Sequence, residues 1–103
     1  MNGAPSENWL HTELTVRSAD GLHARPAIKV ARLARKYTST MQMRVAGDAA
    51  WIDAKSVPKL MAMRAEGGKV IELRAAGADA DAAIAALGGF FERAFTEPGE
   101  GAE

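Results

Sequence analysis

The 103 residues contain no cysteine, which excludes disulfides, thiolate metal sites and a cysteine nucleophile. They carry no excess of either charge. Thirteen lysines and arginines face 13 aspartates and glutamates, so there is no broad electrostatic case for nucleic acid as a partner. No apolar run approaches the ~20 residues that a membrane-spanning helix needs. The opening "MNGAPSENWLHTEL" lacks a basic stretch followed by an apolar one and does not read as a secretory signal. The cytoplasm is therefore the expected compartment, with no membrane partner. There is no internal repeat. His11 has no companions at metal-ligand spacing and reads as a surface residue. Neither a metal nor a cofactor is expected.

What is present is an ordinary globular composition, 48% hydrophobic and 25% charged, in a length suited to one domain with one core. Small and polar residues at the start make 1–11 a flexible N-terminal extension, and "TEPGEGAE" makes 96–103 a disordered tail. The domain is expected over 12–95.

Within it, Leu14 and Val16 alternate with polar residues and predict a first strand over Thr12–Ser18. Asp20-Gly21 breaks it, Gly21 being free to take φ > 0. "HARPAIKVARLARKY" then predicts a helix. Pro26 suits its first turn, and Ala27, Val30, Ala31 and Ala34 form an apolar stripe, extended by Ile28 and Leu33. Met41, Met43 and Val45 open a hairpin that turns at Gly47-Asp48 and returns through Ile52. Ser56 is placed as the N-cap of a short helix with Pro58 in its first turn, stopped by Gly67-Gly68. A last strand carries Ile71 and Leu73 inward. The last helix has Asp79 and Asp81 near its positive end and Ala83, Ile84, Leu87, Phe91 and Phe95 on its apolar side. The order βαββαβα predicts an α+β fold with helices on one face of an antiparallel sheet.

The chemistry concentrates in "DGLHARPA", Asp20–Ala27. A neutral imidazole is a nucleophile near neutral pH. His23 stands just ahead of a helix N-terminus, where backbone N–H groups lack partners and the dipole is positive. Arg25 adds a permanent cation whose planar donors match phosphate oxygens. A nucleophile beside anion donors makes a phosphoryl acceptor. Taken alone, an H-x-R at a helix start is more often a cap followed by a solvated arginine.

Three stretches together carry a resemblance that the tripeptide alone does not. "GLHARPA" resembles the active-site motif of HPr, the family of histidine-containing phosphocarriers of the bacterial sugar phosphotransferase system. "DAKSVPKLMAM" resembles that family's second signature, a Lys-Ser pair opening the short second helix. "GGKVIELRAAGADADAAIAAL" resembles its last strand, glycine turn and acidic helix start. The resemblance covers about Thr12 to Phe95. It implies an open-faced β-sandwich, a four-stranded antiparallel sheet with three helices on one side.

The resemblance also implies roles. His23 takes a phosphoryl group on Nδ1 from the phosphohistidine of enzyme I and passes it to a histidine of an enzyme IIA domain. Arg25 and the main-chain N–H groups that follow His23, from Ala24 onward, steady it. The chain is then a stoichiometric carrier and a monomer, not an enzyme with turnover. Ser56 aligns with the family's regulatory serine, the target of an HPr kinase/phosphorylase in some bacteria, although a plain N-cap serine needs no kinase. Ile28, Val57, Pro58 and Met61 align with an apolar docking patch, with Lys59, Arg32, Arg35 and Lys36 around it against acidic partners. As single residues, these cations read equally well as a solvated helix face. The chain departs from the family's pattern at Pro58, where a larger apolar residue is common, and in a longer hairpin carrying Trp51, which is expected to pack the sheet edge. Two other functions stay open: a paralogue dedicated to a nitrogen-related or dihydroxyacetone relay, and a regulatory binding module acting through Ser56. Retention of His23 and Arg25 speaks against the module.

Overall fold

Alternation along the strands puts one apolar set on one face of a sheet, and the helices bury that set. In the computed structural model, which describes residues 8–48 and 50–96, the elements are β1 (Leu10–Thr15), α1 (Ala24–Ala34), β2 (Thr40–Val45), β3 (Ile52–Asp53), α2 (Val57–Ala62), β4 (Val70–Ala76) and α3 (Ala80–Glu92). The sheet is antiparallel throughout, in the order β1-β4-β2-β3. Leu14, Ile71 and Val45 stand in one row across it, and Thr12, Leu73 and Met43 in the next. Leu14, Met41, Met43, Ile71 and Leu73 are buried against Val30, Leu60, Leu87 and Phe91 from the three helices. Each fully buried side chain of this size contributes ~1.5–3 kcal/mol. This is the expected βαββαβα open-faced sandwich.

Several boundaries differ from the sequence reading. β1 begins at Leu10, because β4 offers partners as far as Ala75: Leu10 pairs with Ala75 and His11 with Arg74. The extension assigned to 1–11 is therefore shorter, and residues 1–7 lie outside the described residues. At the other end, Thr96 still donates to the Arg93 carbonyl; the rest of the tail, 97–103, lies outside the described residues. α2 stops at Ala62, well before Gly67-Gly68, because Arg64 turns the chain with a φ of 53°. That left-handed conformation costs a residue with a Cβ ~1–2 kcal/mol.

α3 likewise ends before Phe95. Ala94 N–H donates to the Phe91 carbonyl and Phe95 N–H to the Phe90 carbonyl, which is a Schellman closure. It is built here on alanine, with φ of 54° at Ala94 and 67° at Phe95. Phe95 folds back onto Phe90 and Phe91, with ring centroids 5.7 and 4.8 Å away. Its burial offsets the strained turn.

Trp51 does more than pack the sheet edge. On the outer face its ring lies 4.3 Å from the Arg44 guanidinium and 4.1 Å from that of Arg74, and Trp9 stacks on Arg74 at 4.2 Å.

Asp79 holds the start of α3 to the loop before β2. Its carboxylate accepts from the Thr38 N–H at 2.8 Å, from the Ser39 N–H at 2.9 Å, and from the Ser39 hydroxyl. The Ser39 hydroxyl, then the Thr38 N–H, lower its pKa from 3.8 to about 2. A depressed carboxylate stabilises the fold fully above its unfolded pKa. That contribution is lost as pH falls through the folded value, here between about pH 4 and 2. The Asp79→Asn variant is accordingly less stable than the parent chain in urea at pH 7, and the two midpoints converge toward pH 2.

Candidate functional site

The backbone presents His23 on a short exposed ledge. Gly21 N–H donates to the Ser18 carbonyl at 3.0 Å, and Leu22 N–H to the Ala65 carbonyl at 2.8 Å. Gly21 has a φ of 76°, and a Cβ there would fall 2.6 Å from the Ala65 oxygen, so the close approach of the two loops requires glycine. Leu22 is buried, and so is Pro26. Between these two anchors His23, Ala24 and Arg25 are all exposed.

His23 is the N-cap residue of α1 by position, with extended backbone, but its side chain makes no capping hydrogen bond. Its carbonyl accepts the first helical bond, from Ala27 N–H at 2.9 Å. The imidazole is thus left for other work. Pro26 contributes no N–H, so the donors of the first turn not used inside the helix are those of Ala24 and Arg25.

Two concavities flank His23. The larger, an open groove of about 750 Å³, brings His23 together with Arg25, Ile28, Lys29 and Arg32, and is also lined by Phe95 from the α3 terminus. The smaller, about 240 Å³, joins His23 to Asp20, Met61, Arg64 and Glu66. Ile28 and Met61 are each 42% exposed, one in each concavity. Ile28 therefore leaves the apolar stripe of α1, whose buried members are Pro26, Ala27, Val30, Ala31 and Ala34.

The other expected docking residues lie apart from these walls. Pro58 and Lys59 are exposed on α2 and Val57 is half-buried. Arg35 is exposed, but its Nε donates to the Lys55 carbonyl at 3.0 Å, tying the end of α1 to the start of α2. Ser56 caps α2 as expected, its Oγ accepting from the Lys59 N–H at 3.3 Å. Replacing it with alanine is expected to remove this cap and cost about 1 kcal/mol of stability, to be read as a lower urea midpoint. Ser56→Asp, which keeps an acceptor at the cap, retains most of it.

Arg64 and the α3 terminus were not singled out from the sequence as part of the site. Nothing in "MRAEGG" marks Arg64, because its place beside His23 depends on the long-range bond between Leu22 and Ala65.

The family model described as "PTS HPr component phosphorylation site" matches residues 10–93. The phosphocarrier protein HPr of Xylella fastidiosa is 36% identical over 88 residues, covering 85% of this chain and 97% of that protein. The phosphoryl donor subunit DhaM of a PEP-dependent dihydroxyacetone kinase from Providencia stuartii is 38% identical over 82 residues, 80% of this chain and 17% of DhaM. Among solved structures, an HPr from Thermoanaerobacter tengcongensis superposes with a TM-score of 0.79 at 32% identity, covering 85% of this chain and 97% of that one.

Proposed function

The chain belongs to the HPr family of phosphotransferase-system phosphocarriers, and on that footing we propose that His23 is its phosphoryl acceptor, charged by phospho-enzyme I and discharged to enzyme IIA domains in the cytoplasm. The observation that carries this reading is the exposed imidazole at the mouth of α1, unused as a cap and flanked by Arg25.

In the transfer, the lone pair of an imidazole nitrogen of His23 forms a bond to phosphorus. The bond from phosphorus to the donor histidine breaks, and its electron pair returns to the donor nitrogen. The three oxygens of the moving group carry the charge, so the work of the carrier is positioning and electrostatics. Arg25 and the N–H groups of Ala24 and Arg25 supply donors. Donors that hold the group only moderately suit a carrier, because the phosphoryl group must leave again.

Ile28, Met61, Val57 and Pro58 supply the apolar part of the docking face, and Arg32, Arg35 and Lys59 its charged rim. Ser56 is a candidate regulatory site. A phosphate there adds ~1.5 to 2 negative charges near that face and slows exchange with enzyme I. Labelling by an HPr kinase with ATP tests this, and loss of the label in Ser56→Ala assigns it.

The test of the main reading is incubation with phosphoenolpyruvate and enzyme I, followed by intact mass. One acid-labile, base-stable phosphoryl group per chain is expected, and no incorporation overturns the reading. The similarity to DhaM supports a second reading, a relay dedicated to dihydroxyacetone phosphorylation. Under it, the charged chain discharges to the phosphoryl donor subunit of a dihydroxyacetone kinase and leaves sugar-specific IIA domains uncharged.

A further inference from the structure

Arg64 holds a conformation that an arginine adopts only at a cost, and its side chain does nothing in the fold that offsets it. Its φ is 53°. Phe95, in a similar conformation at the end of α3, is buried against two rings. Arg64 is exposed, and among the described residues its guanidinium has no hydrogen-bond or ion-pair partner. That holds even though Asp20 and Glu66 line the same concavity. Strained residues of this kind gather where a side chain has to be aimed.

The aim here is fixed by the backbone. Ala65, next in the chain, accepts the Leu22 N–H at 2.8 Å, and Leu22 precedes His23. The turn that carries Arg64 and the ledge that carries His23 are thus bound together. The electrostatics of the smaller concavity depend on this one residue. Besides His23, its lining holds three charged groups, Asp20, Glu66 and Arg64. Without Arg64, two carboxylates face any partner that approaches His23 from that side. The larger groove sets Arg25, Lys29 and Arg32 against the one carboxylate of Asp20, an excess of cations that suits an acidic surface. Arg64 gives the smaller concavity a cation as well.

We propose that Arg64 is a specificity-determining docking residue, whose guanidinium receives a carboxylate of the acidic protein surface that brings the phosphoryl group to His23. The proposal rests on the phosphocarrier reading and extends it to a second side of the histidine.

The experiment is steady-state phosphorylation from phosphoenolpyruvate and enzyme I, with the full-length chain as the varied substrate and thermal melting alongside. Arg64→Gly relieves the backbone strain, so its melting temperature equals or exceeds that of the parent chain. Its KM rises about three- to fivefold at low ionic strength, kcat holds, and the difference shrinks as salt is added. Arg64→Lys recovers most of the loss. Adding Glu66→Gln to Arg64→Gly recovers part of it, because one opposing carboxylate is gone. An unchanged KM in Arg64→Gly overturns the proposal. So does a fall in kcat at constant KM, which would put the guanidinium on the phosphoryl group instead of the partner. If the unaltered chain takes no phosphate at all, the carrier reading fails, and the docking role with it.

Discussion

We expect His23→Ala to take no phosphoryl group from phospho-enzyme I where the unaltered chain takes one, and to melt where the parent does. The loss is complete because a stoichiometric acceptor has no residual route: the bond to phosphorus needs that imidazole. The chain has one other histidine, His11, and it lies on β1 with its ring 6.2 Å from that of Trp51, outside both concavities that hold His23. The fold is indifferent to the change because the His23 side chain is exposed and caps nothing. Surface substitutions of this kind stay within about 0.5 kcal/mol. Intact mass and a thermal melt read the two halves of the result. A label that persists in His23→Ala places the acceptor elsewhere.

Arg25→Ala is expected still to accept the phosphoryl group, but about 10²-fold more slowly, the usual cost of removing one donor aimed at developing charge. Its stability does not fall. Arg25 is exposed in the first turn of α1, where a cation faces the positive end of the helix dipole, so its removal relieves a small repulsion. Arg25→Lys keeps the charge and loses the planar fork, and falls between the two. Rapid-quench transfer from phospho-enzyme I gives the rate. A large drop in melting temperature, or an unchanged rate, would make Arg25 a structural residue instead.

Much of this protein was legible from local pattern. The alternation of Met41, Met43 and Val45, the stripe of Ala27, Val30, Ala31 and Ala34, and the serine-proline start of α2 are all decided within a few residues. The structure keeps them as read. The features that were missed are decided by distant partners. Leu10 and His11 become strand because β4 extends to meet them. α2 ends at an arginine in a left-handed turn because Ala65 is tied to Leu22, and that tie overrides the stronger stop signal at Gly67-Gly68. Phe95 reaches the core through a turn that local propensity disfavours. Trp51, expected at the sheet edge, covers arginines as well, and its stacking, like that of Trp9, depends on Arg44 and Arg74, which come from other strands.

The same division holds for the site. His23 and Arg25 are neighbours in sequence, and their chemistry could be read there. The walls of the two concavities come from α1, the α2 turn and the α3 terminus, and only folding assembles them. Arg64 is part of one of those walls.

On the phosphocarrier reading, His23 carries the phosphoryl group reversibly. The most direct measurement is phosphorus–proton correlation NMR on the unaltered chain after charging with phosphoenolpyruvate and enzyme I. A single phosphorus coupled to the His23 ring is expected, lost when excess pyruvate is added so that the group returns through enzyme I. A phosphorus on His11 or Ser56, or one on His23 that pyruvate does not discharge, would contradict it.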